Sequence, residues 1–287
     1  MLNASVIIPT FNRPDILSHA LRPLLSEIRE AGAPAEIVVV DDGTDETYAP
    51  RIADLVKTFD TKRLVLVRHD INLGLSAARN SGAQRARGEI LIFIDDDLIP
   101  SPTFIRDHIA FHEAHPEIPL LCGHLFTSSR SLYGRYWSRC YQHVFCEPAN
   151  GRDLYPIDML SGGNHSVKRD VLEILSPLFD SALPSREDMD LYLRAREAGL
   201  NVYKTTRAAA EVVPKSTFSA FYKQKQWYAR GEILLRAKHG ESKVAAAEAR
   251  HPTPLTPDML VLTVLLRLRE KIDSWTARRG TKAGTTP

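Results

Sequence analysis

The stretch ILIFIDDDLIP, Ile90 to Pro100, sets five apolar residues in a row against three consecutive carboxylates. A run this short and this rich in isoleucine reads as a strand buried on both faces, closed by Pro100. Asp95, Asp96 and Asp97 then stand at its C-terminal end. In an open α/β sheet that edge is where the loops diverge and ligands bind. Carboxylates this close repel one another, and a fold keeps some of them protonated unless a cation or a donor-rich ligand compensates them. A hard divalent cation would do so, because magnesium and manganese take oxygen ligands and share their shell with substrate phosphates. The plainer reading is a solvated acidic turn, a feature seldom found at the end of a buried strand.

Upstream the same design recurs. SVIIP (Ser5 to Pro9) is a first buried strand, and the turn Thr10-Phe11-Asn12-Arg13-Pro14 leads into a helix through about Ala31, with proline where the missing N–H does no harm. EIVVV (Glu36 to Val40) is a second strand and ends in Asp41-Asp42-Gly43-Thr44-Asp45, again an apolar run followed by acids. A helix over Glu46 to Phe59 precedes a third strand, Arg63 to Arg68. Asn72-Leu73-Gly74 then turns into a helix whose Ala77, Ala78, Gly82, Ala83 and Ala86 let it approach a sheet closely. The order β-α-β-α-β-α-β calls for a parallel sheet, with both acid clusters on one edge. Two carboxylate groups on one edge suit a nucleotide site that must contact a ribose or base and also hold a metal.

Downstream of Pro100, Ser101 reads as the N-cap of a helix over Pro102 to Ala114, and Leu120 to Phe126 as a further strand. Residues 127 to 156 read as irregular and aromatic, which suits either a sugar-stacking lid or packing beneath a loop. The glycines of Ser161-Gly162-Gly163-Asn164 permit close backbone approach to a ligand, or make a plain tight turn. Ser185-Arg186-Glu187-Asp188 precedes a helix over Met189 to Ala198. A serine cap with acids in the first turn is ordinary helix chemistry, yet beside a metal–nucleotide edge such an acid is also a candidate general base. Beyond Val213-Pro214 the pattern is helical, with a long helix over Ser216 to His239. MLVLTVLLRL (Met259 to Leu268), with its basic flanks, suits a helix packed on the protein or a second subunit, or one lying in a membrane interface. The divisions expected are a catalytic domain over 1–215, a helical extension over 216–276 and a disordered tail over 277–287.

Bulk properties narrow the classes. The chain has 287 residues, 44% hydrophobic and 25% charged, enough for a large core and too apolar for a disordered protein. A formal net charge of +2 disfavours nucleic acid as the main ligand. Three widely spaced cysteines, Cys122, Cys140 and Cys146, form no paired CxxC or disulfide framework and suit a reducing cytosol. MLNASVIIPT has no basic leader before its apolar run, so no secretory signal is read, and nothing approaches the roughly 18 apolar residues of a spanning helix.

Read in order, SVIIPTFNRP, VVVDDGTD, NLGLSAARNSG, GEILIFIDDD, SGGN and SREDMDL resemble the motifs of glycosyltransferase family 2 over about residues 3 to 213. The resemblance implies the GT-A fold, a Rossmann-like and mostly parallel sheet flanked by helices. It implies transfer of a sugar, with inversion, from a nucleoside diphosphate donor (UDP, GDP or dTDP linked) to an acceptor hydroxyl. Phe11 and Asp42 would then contact the base, with Pro9, Asn12 and Arg13 in the same nucleotide pocket. Asp95 and Asp96 would meet the ribose and pyrophosphate. Asp97 would hold Mn2+ or Mg2+, with Asp95 a second candidate ligand. Gly162, Gly163, Asn164 and Glu187 would line the donor-sugar and acceptor pocket, and Asp188 would be the base. The acceptor expected is a glycan, a lipid-linked or a small molecule, in a cell-envelope or polysaccharide pathway. The protein would be cytoplasmic, with peripheral contact at the inner membrane face or a homodimer through the C-terminal helix left open.

Two departures stand out. Many relatives carry a metal-binding histidine where this chain reads Glu211-Val212-Val213-Pro214-Lys215, so either Asp97, diphosphate and water hold the metal or Lys215 supplies part of its charge. Gln224-Lys225-Gln226-Trp227 lacks the Arg-Trp pair of processive enzymes, so transfer of single residues is expected. A sugar nucleotidyltransferase would follow strand one with a glycine-rich loop, and PTFNRP has none. A non-catalytic nucleotide-sugar binder finds support in the absent histidine, against an otherwise full set of acids.

Overall fold

The computed structural model describes residues 2–59, 62–144, 153–157, 159–215 and 217–248, together with 264, 265 and 269. Its first half is the expected alternation. Strands β1 (Ala4–Thr10), β2 (Ala35–Asp41), β3 (Leu64–Arg68) and β4 (Ile90–Ile94) pair in parallel in the order β3-β2-β1-β4. Helices α1 (Pro14–Arg29), α2 (Ala49–Thr58) and α3 (Leu75–Arg85) connect them. Successive strand residues point to opposite faces, and both faces are covered. Ile7, Val38, Val40, Leu91 and Phe93 join Ala78 and Ala83 of α3 on one side. Val6, Ile8, Ile37, Val39 and Ile92 join Leu17, Leu21 and Leu24 of α1 on the other. The small face of α3 does what its composition suggested: a Cβ on Gly82 would stand 2.4 Å from Ile7 Cγ2, too close for any real pair.

Past the acids the sheet becomes mixed. Short β5 (Leu98–Pro100) is followed by α4 (Phe104–Ala114), β6 (Leu120–Phe126), α5 (Leu132–Val144), β7 (Leu154–Pro156), β8 (Asn164–Lys168), α6 (Val171–Ile174), α7 (Glu187–Glu197), β9 (Val202–Val212), α8 (Phe218–His239) and α9 (Glu241–Glu248). The full order is β3-β2-β1-β4-β8-β6-β9-β5, with β7 also on β9. Strand β8 runs antiparallel to β4 and β6, while β6 and β9 are parallel. The result is a central mixed sheet flanked by helices, the α/β architecture expected.

Several local expectations need correction. Pro100 does not end the sheet: the chain re-enters it as β5, antiparallel to β9, and because β5 is an edge strand its proline needs no ladder donor. Ser101 is not the N-cap of α4, which begins at Phe104. The free N–H groups of Ile105 and Arg106 instead donate to the buried Glu27 carboxylate of α1, at 2.9 Å each. A carboxylate from another helix thus does the work of a local cap. The irregular segment expected over 127–156 contains α5 and β7, since Leu132, Tyr133, Tyr136 and Trp137 follow helical spacing. Of the two readings of its aromatics, Tyr133, Tyr136 and Trp137 pack on Phe221 of α8. Ser185 is not a cap either: its hydroxyl donates to the Trp227 carbonyl (2.8 Å), and α7 starts at Glu187 after Arg186 in a left-handed conformation, φ 67°. A Cβ on Gly231 would lie 2.1 Å from Ser185 Oγ, so α8 is pressed against the start of α7. Most of Met259 to Leu268, and the tail over 277–287, lie outside the described residues. No helix among those described is long and apolar enough to cross a membrane.

Candidate active site

The C-terminal ends of β1, β2 and β4 release three loops on one sheet edge, and the first and third open on a cleft of about 1210 Å³. The glycines before β8, the first turn of α7, and residues of α5 and α8 complete its walls. Pro9, Phe11, Arg13, Asp95, Asp96, Asp97, Gly162, Gly163, Glu187 and Asp188 all line it. The sequence had nominated each of these.

Asn12, Asp42 and Asn164 do not line it. Asn12, at φ 57°, ties the first loop to the second: its Nδ2 donates to Asp45 Oδ2 (2.8 Å) and its Oδ1 accepts from the Asp45 N–H (2.9 Å). Asp42 braces the turn before α3, accepting from the N–H groups of Leu73 (3.0 Å) and Gly74 (2.8 Å), with His69 Nδ1 at 2.7 Å. Asn164 is fully buried. Its Nδ2 donates to the carbonyls of His124 (3.1 Å) and Ala208 (2.9 Å), and its Oδ1 lies 3.1 Å from His108 Nε2, so it stitches β6, β9 and α4 together beneath the cleft.

The three adjacent aspartates have different neighbours. Asp96 is buried: it accepts from Thr10 Oγ1 (2.8 Å) and pairs with Arg13 Nη2 (2.9 Å). Burial, with Asp97 and Asp95 adding their charge, pushes its carboxyl up to about 7 against the pull of Arg13. Asp97 meets Lys215 Nζ at 2.9 Å and Arg13 Nη1 at 3.4 Å through the same oxygen, Oδ2. Asp95 Oδ1 accepts from Arg79 Nη2 at 2.6 Å. Its backbone N–H donates to the Gly163 carbonyl (3.2 Å), and a Cβ on Gly163 would stand 2.8 Å from Asp95 Oδ2. The second glycine is therefore needed for close approach, beyond the needs of a tight turn.

Arg79 organises the inner wall. Its guanidinium, 1% exposed, donates to Glu187 Oε1, to Asp95 Oδ1 and to the Gly162 carbonyl (2.9 Å), and it lies 5.4 Å from the Phe179 ring centroid. Burial works against its charge, and the two carboxylates outweigh burial, so it is held more firmly protonated than a free arginine. Burial, together with the adjacent Asp188, raises Glu187 to about 7 despite Arg79. Asp188 Oδ2 accepts the Gly162 N–H (2.9 Å) and its Oδ1 accepts the Met189 N–H (2.8 Å), which fixes the carboxylate at the cleft wall. Arg79 is not among the residues that the sequence motifs single out. Its signal was available: one arginine amid the small residues of SAARNSG, on a helix that must press against a sheet.

Among the described residues no three histidine, cysteine, aspartate or glutamate side chains converge into a ready-made metal cage. Asp97 and Asp95 offer hard oxygens at the cleft, which suits a cation that draws the rest of its shell from diphosphate and water.

The family profile described as Glycosyl transferase family 2 matches residues 5–175. An uncharacterized glycosyltransferase, YfnE of Bacillus subtilis (strain 168), is 30% identical over 138 residues, which cover 48% of this chain and 33% of the relative. Among solved structures, S. aureus TarS 1-349 in complex with UDP-GlcNAc superposes with a TM-score of 0.58 at 21% identity, over 77% of this chain and 64% of that one. The mannosyltransferase PcManGT from Pyrobaculum calidifontis, in complex with GDP-Man and Mn2+, superposes with a TM-score of 0.59 at 17% identity, over 99% and 76%. The chain spans a third or less of the length of the curated relatives it first matches.

Proposed function

The chain belongs to glycosyl transferase family 2, and on that premise we propose that it transfers a single sugar, with inversion, from a nucleoside diphosphate donor to an acceptor hydroxyl. The observation that carries this reading is the convergence on one cleft of Asp95–Asp97, Gly162-Gly163 and Asp188, braced by Arg79. Inversion requires attack on the anomeric carbon from the face opposite the leaving diphosphate. The bond from that carbon to the acceptor oxygen forms, the bond to the diphosphate oxygen breaks, and the Asp188 carboxylate takes the acceptor proton. Phe11, Arg13 and Asp96, on the loops after β1 and β4, suit the nucleotide. Arg13 and Lys215 would oppose charge gathering on the diphosphate as it leaves. Asp97, with Asp95 beside it, would hold Mn2+ or Mg2+ together with the donor diphosphate, and the ion would supply further charge neutralisation there. Neighbouring folds with UDP-GlcNAc or with GDP-Man and Mn2+ support donors of the UDP or GDP kind.

The test is thermal stabilisation by UDP, GDP, dTDP and CDP, each with manganese, magnesium or EDTA. One nucleotide should stabilise the protein in a metal-dependent way that Asp97→Ala abolishes. If none stabilises it, the transferase reading fails.

A further inference from the structure

The start of α7 has a backbone feature that the transfer step does not explain. Among the described residues, two that are not glycine adopt a left-handed backbone, Asn12 and Arg186. Asparagine visits that region readily; arginine persists there only where its surroundings over-determine it. Arg186, at φ 67°, stands two residues before Asp188, and its carbonyl accepts the Asp190 N–H (3.0 Å), the first hydrogen bond of α7. Its left-handed turn therefore sets the direction in which α7 leaves, and with it the way Glu187 and Asp188 face the cleft. The surroundings that hold it belong to α8. The buried Ser185 hydroxyl donates to the Trp227 carbonyl (2.8 Å), and any side chain on Gly231 would collide with Ser185. The Arg186 guanidinium then grips Glu232 Oε2 through both Nε (2.7 Å) and Nη2 (2.6 Å). Glu232 Oε1 meets Arg236 Nε (2.5 Å) one turn further along α8, so the carboxylate that holds Arg186 is itself fixed.

The first turn of α7 is thus braced twice: Arg79 of α3 holds Glu187, and Glu232 of α8 holds Arg186. The hydrogen bonds of Asp188 to the Gly162 and Met189 N–H groups fix how its carboxylate is turned; where it stands is set by the backbone that carries it. Ser185 anchors the chain just upstream of the left-handed residue, whereas the ion pair acts on that residue itself. We propose that Glu232, through Arg186, is a positioning residue for the proton acceptor: it keeps the backbone at Arg186 in the left-handed state that directs Asp188 at the acceptor hydroxyl. With its side chains 23% and 22% exposed, the pair adds only modestly to stability. Its effect on rate is larger, because a displacement of about 1 Å at a reacting group costs about 10²-fold. The proposal rests on the reading of Asp188 as the proton acceptor.

The experiment uses the full chain with manganese, takes UDP-GlcNAc and GDP-Man as probe donors and water as the acceptor, and measures release of the nucleoside diphosphate. In that reaction the water oxygen bonds to the anomeric carbon, the bond to the diphosphate oxygen breaks, and Asp188 takes the proton. Arg186→Gly removes the ion pair but accepts φ 67° without strain, so it should keep the wild-type Tm and donor KM while kcat falls about 10–100-fold. Glu232→Ala, which leaves Arg186 in place, should lose the same factor, and the double variant no more than either single one. In an Asp188→Asn background neither change should lower the residual rate further, since both act through that carboxylate. Wild-type kcat in either single variant, a loss that appears in KM or in Tm to the same degree, losses that multiply, or a loss that persists beside Asp188→Asn overturns the inference. Nucleotide stabilisation in the same samples separates the failures. If it is present with any of these results, only the role of Glu232 and Arg186 falls; if it is absent, the transferase reading falls with it. A wild-type protein that binds nucleotide but releases none from either donor overturns Asp188 as the proton acceptor, and this inference with it.

Discussion

Replacing Arg79 with lysine tests the inner wall most directly. The guanidinium serves Glu187, Asp95 and the Gly162 carbonyl at once, in a fork that a single ammonium on a shorter stem cannot reproduce. Removing one partner of a buried pair costs about 3–5 kcal/mol. Lysine keeps the charge and one of the two carboxylates, so the expected loss is about 2 kcal/mol, or about 4–8 °C in Tm for a chain of this size. The pH dependence gives the mechanism away. Glu187 is already raised to about 7 from 4.5. A carboxyl raised on folding contributes stability that is fully present below its unfolded pKa and lost as pH rises through the folded one. In the wild type that loss is complete somewhat above pH 7, whereas in Arg79→Lys the carboxyl left without its partner rises further and the loss continues. Between pH 7 and 8.5 the gap between the two proteins should therefore widen by about 2 kcal/mol, at about 1.4 kcal/mol per pH unit. Scanning fluorimetry at pH 5.5, 7 and 8.5 reads this. A Tm difference that is zero, or constant across those pH values, refutes the account of Arg79 as the counter-charge of Glu187 and Asp95.

Asp188→Asn should lower kcat by about 10²–10⁴-fold while leaving nucleotide affinity within error, and an equal loss in both would make Asp188 a binding residue only. Gly163→Ala should weaken nucleotide–manganese binding by about tenfold, because the added Cβ at 2.8 Å must displace Asp95 Oδ2; unchanged titrations would show that this carboxylate is not needed where it stands. Manganese and nucleotide should stabilise the protein together by more than the sum of their separate shifts, and purely additive shifts would dissociate the metal from the donor. His112→Gln should make the protein less acid-sensitive. Burial lowers His112 to about 4, so its neutral form contributes stability above pH 6.5 that is lost as pH falls toward 4, and the variant should lack about 1.4 kcal/mol per unit of that slope; the same slope in both proteins would mean that His112 does not titrate in that window.

The parallel half of the fold was legible because its signals are local. SVIIP, EIVVV and ILIFI are continuous apolar runs, and residues alternating along them do face two separate cores. The small residues of α3 announced close packing, and Gly82 against Ile7 realises it. The misread boundaries share one cause: the group that satisfies the helix end is remote in sequence. Glu27 caps α4 from 78 residues away, and Ser185, which looks like a cap, spends its hydroxyl on Trp227. Helix α5 is hidden in its own composition, since rings as frequent as Tyr133, Tyr136 and Trp137 suit a loop wall as well as a helical period.

The same division holds in the site. Residues whose chemistry follows from their own type and place, the aspartates after β4 and the acids opening α7, were nominated and line the cleft. Those whose meaning depends on what folds against them were not: Arg79 has no motif apart from the two carboxylates it joins. That difference also revises why a metal belongs here. Three adjacent aspartates in a sequence look like a charge excess that demands an ion. In the fold, Arg13, Arg79 and Lys215 answer them, and Asp96 and Glu187 are both raised to about 7, so the protein itself offsets most of the acids' charge. What upsets that balance is the donor, whose diphosphate brings new negative charge to acids already paired. On the proposed reading, a divalent cation would be called for by the ligand more than by the protein, and few protein oxygens would need to be free to hold it.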